Sequence, residues 1–298
     1  MPTTSIASPP IIATYQSKLM KNAIALFFTS CLFHFLSHAQ YGEADSAKTV
    51  VPFKLFDNLY YVGNDNASSY LLTTTDGLIL IDALYGKFTQ DIPQLIRRLG
   101  FDPKKIKYIL CTHGHYDHYE GADTLQKITH ARIGMTEPDW QIAEGKVHNQ
   151  YASVRVLLKR DLVIADGDSL KLGKTTLHFY VTPGHTLGVL SIAFPVRDGS
   201  HTYKAFLFGG IGLNFDGVEQ TQLYLQSVNR LLRMKDVQVN ITNHPSPGKI
   251  FERHTLLQER KPGDPNPYVD PIAFRVWLIE LRNAAQEKLE MEKAKVAH

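Results

Sequence analysis

Four side chains that can bind a metal ion occur within six residues, in the segment HGHYDH at 113–118. The segment directly follows the apolar β-type run IKYILC at 106–111, so the pattern places it where a strand ends. Such a density of ligand types is rare by chance among short motifs. The segment therefore predicts a metal-binding loop at the edge of a sheet, and the rest of the fold has to be compatible with that loop.

The spacing inside this segment suggests room for two metal ions. His113 and His115 lie two residues apart in what reads as an extended loop, so both imidazoles can converge on one ion. Asp117 and His118 then turn toward a neighbouring position. Imidazole and carboxylate ligands without a thiolate suit zinc and, less specifically, iron or manganese.

Two further histidines follow β-type runs elsewhere in the chain. In TPGHT at 182–186 a Pro-Gly turn presents His185, and in TNHP at 242–245 a strand end presents His244. Each would be a weak signal alone, but loops at one edge of a rigid scaffold are where sites are built. Six other histidines lack such placement and are predicted to be solvated or to pack against neighbours: His130, His148, His178, His201, His254 and His298.

The remaining sequence alternates β-type runs with helical periodicities. Short runs at 59–62, 69–73 and 78–82, separated by Asn/Gly turns, predict an antiparallel meander. Apolar spacing predicts helices at 88–99, 121–129, 138–144, 219–235, 249–260 and 271–295. Two halves, each of strands and then helices, predict an α/β fold: a four-layer αββα sandwich of two mixed sheets. The Lys/Glu-rich end at 287–295 is predicted to be a solvated helical tail.

Composition excludes some partners. The net charge is +3, from 32 basic and 29 acidic residues, and no long basic run is present, so nucleic acid is not a predicted partner. The two cysteines are Cys31 and Cys111, and only Cys111 lies beyond the N-terminal segment described next. No intramolecular disulfide is therefore expected.

The N-terminal segment resembles a secretory signal. The apolar stretch at 23–36 follows Met-Lys at 20–21 and precedes Ser37 and Ala39, which suits cleavage after residue 39. The stretch is shorter than the roughly 20 residues that a bilayer needs. We expect a signal peptide over residues 1–39, with Met20 as an alternative start, and one hydrolase domain over residues 40–298. The protein would then be periplasmic or secreted, without stable membrane association after cleavage.

The three histidine motifs, in this order, resemble the metallo-β-lactamase superfamily, and most closely the class B, subclass 3 β-lactamases. The likeness extends from NLYYVG at 58–63, through GLILID at 77–82, to NPYVDP at 266–271. The resemblance implies two zinc ions. The first would bind His113, His115 and His185, and the second Asp117, His118 and His244.

The resemblance also implies a reaction: zinc-dependent hydrolysis of the β-lactam amide bond, which inactivates the antibiotic. Asp117 would be catalytic as well as a ligand, the partner would be a small β-lactam substrate, and no protein partner is implied. Asp82, at the end of an apolar run, is either an acceptor for the ring N–H of a ligand histidine or a strand-terminal cap. Asn243 is either a contact for a substrate carboxylate or an ordinary turn residue.

Two departures from the resemblance bear on substrate. Many hydrolases of the superfamily, such as glyoxalase-type thioesterases and lactonases, carry a metal-bridging Asp at a later strand end, where this chain has GGIG at 209–212. Its absence favours a β-lactamase. Subclass 3 enzymes often place a Ser there to help hold the substrate carboxylate, and here Gly210 and Ile211 are the candidate substrate-binding positions.

Two alternatives to a β-lactamase remain open. One is a zinc hydrolase of the same fold that acts on another cyclic or activated ester, a lactone or a thioester. The other is a non-catalytic metal-binding protein. The six-ligand set without cysteine argues against the second, because structural zinc sites are usually closed four-ligand cages.

Overall fold

The computed structural model describes residues 46–296. The predicted signal peptide, Met20, Cys31 and His298 lie outside this range. The first half contains β1 (Phe53–Phe56), β2 (Leu59–Tyr61), β3 (Tyr70–Thr74), β4 (Gly77–Ile81), α1 (Gly86–Arg98), a 3-10 turn (Pro103–Lys105), β5 (Ile106–Leu110), α2 (Tyr116–Tyr119), α3 (Ala122–Thr129), β6 (Arg132–Thr136), α4 (Glu137–Ala143) and β7 (Leu162–Ile164). The second half contains β8 (Ser169–Leu172), β9 (Thr175–Val181), β10 (Leu190–Asp198), β11 (His201–Phe208), α5 (Val218–Leu231), β12 (Val239–Thr242), α6 (Ile250–Gln258) and α7 (Pro271–Val296).

The strands form two mixed sheets, as the alternation of elements predicted. One sheet has seven strands in the order β1 to β7. Strands β2, β3 and β4 are the predicted antiparallel meander, and β1, which the sequence did not predict, extends it by one antiparallel strand. From β4 onward its neighbours are parallel. The other sheet has the order β12-β11-β10-β9-β8, with only the β11–β12 pair parallel. This is the predicted α/β sandwich.

One apolar core joins the inner faces of the sheets. Ile79 and Leu110 of the seven-stranded sheet belong to the same buried cluster as Phe179 and Leu207 of the five-stranded sheet. Removal of this apolar area from water is the main force that holds the sheets together. The sheets thereby become a rigid base for the loops at their edge.

The C-terminal helix is an integral part of the second core, which corrects the prediction of a solvated tail. In α7, Leu281, Ala285 and Leu289 follow each other at four-residue spacing, and all three are buried in the cluster that α7 forms with α5. Glu292 is buried too, and it accepts hydrogen bonds from Gly217 N at 3.0 Å and Thr221 Oγ1 at 2.6 Å. In the sequence, the many Lys and Glu residues between these apolar positions indicated a polar segment, although the apolar residues share one face of the helix. Among residues 46–296, none of the helices combines the length and apolarity needed to cross a membrane.

Candidate metal centre

The six predicted ligands come together at one edge of the two sheets. His113, His115, Asp117 and His118 follow β5, His185 follows β9, and His244 follows β12. The structure groups them as His113, His115 and His185, next to Asp117, His118 and His244. Within each group the potential ligand atoms all lie within 4.8 Å of one another.

The motif is extended at its start and then turns, as the sequence predicts, and the turn is a short helix. His115 keeps extended backbone angles, and the chain then forms the single turn of α2 from Tyr116 to Tyr119. This turn brings Asp117 and His118 together with His244, while the ring centroid of His118 stays 4.2 Å from that of His113, so the two groups adjoin. A four-residue helix has too few positions to show a helical period in sequence.

In the first group, His113, His115 and His185, two ring nitrogens face each other with their lone pairs. His185 Nδ1 lies 2.8 Å from the carbonyl oxygen of Gly212, which can only accept a hydrogen bond. His113 Nδ1 lies 3.2 Å from Thr112 Oγ1, whose own hydrogen goes to Asp82. Both neutral rings therefore carry their hydrogen on Nδ1, and their Nε2 atoms face each other at 3.1 Å without one. A cation satisfies both lone pairs, so this donor set fits a metal ion.

The second group is arranged in the same way around Asp117. His118 Nδ1 lies 2.8 Å from the Asp82 carboxylate, and His244 Nδ1 lies 2.8 Å from the carbonyl oxygen of Asn66. The opposite nitrogens, Nε2, lie 3.3 Å and 3.7 Å from Asp117 Oδ2. His118 Nε2 is buried and has no hydrogen-bond partner among the described residues. An ion bound by Asp117 would occupy this gap.

Asp82 supports ligands of both groups. Its carboxylate accepts hydrogen bonds from the Thr112 backbone at 2.7 Å and the Thr112 hydroxyl at 2.9 Å, besides its contact with His118. Through Thr112 it also fixes the ring of His113. The residue is buried and has a positive φ of 61°, a conformation that Asp tolerates better than most side chains. Of the two roles that the sequence left open, the structure places Asp82 in the ligand-orienting one.

The electrostatics of the site keep most imidazoles neutral. Burial and neighbouring histidines hold the pKa of His113 and His115 well below the usual value, and burial lowers the pKa of His185 to about 4. Burial also opposes charge on His118, but Asp117 and Asp82 outweigh it and raise its pKa to about 10. Burial disfavours the charged form of Asp117 as well, yet His118 and His244 lower its pKa. Neutral imidazole and ionised carboxylate are the metal-binding forms.

Metal binding at pH 7 should release about one proton per chain, from His118. Its pKa of about 10 means that the ring is protonated in the metal-free protein, whereas a bound ion needs the neutral ring. Calorimetric titration of zinc into chelator-treated protein, in two buffers with different ionisation enthalpies, measures this number. The affinity should fall as the pH is lowered, because protons compete for the same nitrogen. A binding heat that is independent of the buffer would contradict this prediction.

The comparison with known proteins agrees with this geometry. The family model for the metallo-beta-lactamase superfamily matches residues 62–199, which include five of the six candidate ligands. BJP-1, a subclass B3 metallo-beta-lactamase of Bradyrhizobium japonicum, is 29% identical, with a TM-score of 0.75 over 83% of this chain and 97% of that chain. Residues 62–199 thus match the metallo-beta-lactamase superfamily, and the chain shares the fold of a subclass B3 metallo-beta-lactamase.

Similar curated proteins have other names. A hydroxyacylglutathione hydrolase of Cereibacter sphaeroides is 26% identical over 193 residues, which are 59% of this chain and 69% of that protein. The mitochondrial persulfide dioxygenase of Homo sapiens is 29% identical over 134 residues. The matched segment spans less than half of that dioxygenase, at 45% of its length. The similarity to these proteins therefore leaves the substrate open.

Two of the predicted substrate contacts are corrected by their placement. Asn243 is almost fully buried, and its amide donates to the carbonyl oxygen of Gly209 at 2.8 Å, which ties the end of β12 to the end of β11. Ile211 is 8% exposed and packs in the apolar cluster with Phe215 and Tyr224. Neither side chain is free to meet a substrate carboxylate. Asn243 directly precedes the ligand His244, and Ile211 follows the end of β11. These positions in the sequence did not predict where the two side chains point.

Gly210 lies behind His185 rather than in open space. A Cβ atom at Gly210 would lie 2.5 Å from Cγ2 of Val189 and 2.9 Å from Cβ of His185. The strand end where many superfamily hydrolases carry a bridging carboxylate is thus closed to a side chain in this arrangement. Its role here is to let the segment up to Gly212 approach His185, whose ring the Gly212 carbonyl oxygen orients.

Substitution of Gly210 by Asp should lower the free energy of unfolding of the metal-free protein by about 1–3 kcal/mol. The new side chain would overlap a methyl group of Val189 and the Cβ atom of His185, so one of them must move. Urea denaturation of chelator-treated protein measures the loss. In a Val189→Ala background, Gly210→Asp should cost less than it does in the wild type, because the overlapping methyl group is gone; the reference is the Val189→Ala single variant, since Val189 is buried. A single variant as stable as the wild type would show that the position is not crowded.

Apart from Asp82, which the sequence offered as an acceptor, the sequence did not predict what holds the ring Nδ1 atoms. Thr112, Gly212 and Asn66 take this role, and the last two act through backbone carbonyl oxygens. A carbonyl oxygen carries no signature in sequence. Thr112, next to His113, could have been considered because such rings usually donate to a neighbouring acceptor.

Proposed function

We propose that the protein is a zinc-dependent hydrolase that opens the amide bond of β-lactams. The observation that carries the proposal is the pair of adjoining three-ligand groups at the sheet edge, built from three histidines and from Asp117 with two histidines. Histidine and carboxylate ligands without thiolate suit zinc. The similarity to BJP-1 over 83% of the chain supports a β-lactam as substrate.

Asp117 is the proposed catalytic residue. When bound, zinc ions supply a Lewis acid and lower the pKa of a water molecule toward about 7. Asp117 is 14% exposed, and its Oδ2 faces His118 and His244, which leaves Oδ1 for a hydrogen bond from the attacking water. The ionised carboxylate orients that water and can receive its proton, which is then available for the leaving nitrogen. No covalent bond between the chain and the substrate is needed.

A second candidate function is thioester hydrolysis, which the similarity to a hydroxyacylglutathione hydrolase favours. The closed position at Gly210 argues against it, because the thioesterases of this superfamily carry a bridging Asp at that strand end and no carboxylate there completes either group. Among residues 46–296, neither group has a fourth carboxylate or histidine ligand within the same distance. The predicted export of the protein would also bring it to β-lactams outside the cytoplasm.

Parallel kinetics on three substrate classes test the proposal. A chromogenic cephalosporin and a carbapenem represent the β-lactams, a hydroxyacylglutathione the thioesters, and an acylated homoserine lactone the lactones. We expect kcat/KM for at least one β-lactam to be about tenfold or more above kcat/KM for the thioester and for the lactone. Tenfold corresponds to about 1.4 kcal/mol in transition-state stabilisation. Faster turnover of the thioester would replace the proposal by its second candidate.

A further inference from the structure

One buried carboxylic acid near the site is not explained by the proposed mechanism. Asp139 lies in the first turn of α4, has no exposed surface, and forms no salt bridge among residues 46–296. Burial raises its pKa to about 7, although the Thr186 hydroxyl and the backbone amides of Gly114 and Gly188 act in the opposite direction. A buried carboxyl without a cation is costly, so its presence calls for a reason beyond packing.

Asp139 contacts the loop that carries His185. The Thr186 hydroxyl, next to His185 in sequence, donates to Asp139 Oδ2 at 2.8 Å. At the other end of this loop, a Cβ atom on Gly188 would lie 3.0 Å from Cγ of Asp139, and Thr136 donates to the Gly188 carbonyl oxygen. The loop is therefore held on both sides of His185: by Asp139 of α4 at Thr186, and at Gly188 by Thr136, the residue that precedes α4.

The same turn of α4 also supports the loop that carries the other two ligands of the first group. A Cβ atom on Gly114, between His113 and His115, would lie 3.3 Å from the Asp139 carbonyl oxygen and 3.0 Å from Cβ of Ile142. The His113 loop leaves the seven-stranded sheet and the His185 loop leaves the five-stranded sheet. The turn of α4 thus bridges two loops that no single sheet connects.

We propose that Asp139 is a positioning residue, which fixes the His185 loop against the loop of His113 and His115 and so sets the geometry of the three-histidine group. Zinc–nitrogen bonds are about 2.0–2.1 Å long, so a small shift between the loops would pull one ligand off the ion. Partners behind the ligands typically contribute 10–100-fold to metal affinity. The proposal rests on the metal-binding part of the proposed function, not on the identity of the substrate.

Three variants test this role: Thr186→Val, Asp139→Ala and Asp139→Asn. The readouts are zinc dissociation constants from competition with a chromophoric chelator, and the absorption spectrum of the cobalt(II)-substituted protein, which reports ligand geometry. We expect Thr186→Val and Asp139→Ala to weaken the binding of one of two ions by about 10–100-fold and to change the cobalt spectrum. Asp139→Asn, which keeps an acceptor oxygen for Thr186, should retain most of the affinity.

Thr129→Val is the matched control, because Thr129 is also buried and donates a hydrogen bond, to Leu125 in α3. It should lower stability without changing metal affinity. If Thr186→Val and Asp139→Ala bind both ions like the wild type, the proposal is wrong, even if both are less stable. If Asp139→Ala does not fold, Thr186→Val decides. A wild type that binds two ions but opens no β-lactam would refute the proposed function and leave this test intact, whereas a wild type that binds no zinc refutes both.

Discussion

Replacement of Asp117 by asparagine should lower kcat for β-lactam hydrolysis by roughly 100-fold or more. Asparagine keeps the shape of the side chain but removes its charge and one acceptor oxygen. In the wild type Asp117 Oδ2 lies 3.3 Å from His118 Nε2 and 3.7 Å from His244 Nε2, so the variant replaces the charged ligand of the second group by a neutral amide, which binds a metal ion more weakly. We therefore expect the second group to bind its ion much more weakly, in addition to the lower kcat.

Steady-state kinetics with a chromogenic cephalosporin, and metal content measured on the same samples, check this expectation. Asp123→Asn is the matched control: this aspartate lies in the neighbouring helix α3, its side chain is 41% exposed, and it pairs with Lys127 at 2.6 Å. Its activity should be close to that of the wild type, since surface pairs contribute little. Full activity and full zinc content in Asp117→Asn would refute the role given to this residue.

Substitution of Asp82 by alanine should have the largest effect on stability, about 3 kcal/mol or more in the metal-free protein. It leaves the Thr112 backbone N–H and hydroxyl without their acceptor, and His118 without one of its two carboxylate partners. It should also lower the affinity for both metal ions by about 10–100-fold, because the carboxylate holds His118 directly and His113 through Thr112. Urea denaturation and chelator competition measure the two effects.

The stability effect of Asp82→Ala should depend on pH in a defined direction. The folded-state pKa of His118, about 10, lies above its ordinary value of 6.5. The stabilisation from charged His118 is therefore fully present below pH 6.5 and is lost as the pH rises to about 10. The difference between wild type and variant should be larger near pH 6.5 than near pH 10. If Asp82→Ala matches the wild type in stability and zinc affinity, the orienting role is excluded. Asp82→Asn keeps one oxygen, so its stability and zinc affinity should lie between those of the wild type and Asp82→Ala.

The ligand set could be predicted because its information is local. His113, His115, Asp117 and His118 form a dense motif after an apolar run, and His185 and His244 share the same position after a strand. The alternation of β-type runs and helical periods likewise predicted two mixed sheets. Both patterns follow from the burial of one face of each element, which leaves a periodic trace in sequence.

What the sequence did not predict depends on contacts between distant segments. Asp139 reads as a polar residue in a short helix, and only the approach of the His185 loop makes it a partner of Thr186. Strand β1, four residues at a sheet edge with exposed Lys54, is too short to stand out by its pattern. Asn243 and Ile211 lie next to predicted site residues, yet burial in the cores decides their orientation.

The most direct test of the central claim is hydrolysis of a chromogenic cephalosporin by the purified protein in three states: as purified, after chelation, and after zinc is restored. The ligand geometry predicts that activity disappears when the chelator removes the metal and returns with about two zinc ions per chain. A protein that holds two zinc ions and leaves cephalosporins and carbapenems intact would contradict the proposed β-lactamase activity, as would hydrolysis that persists in the metal-free protein.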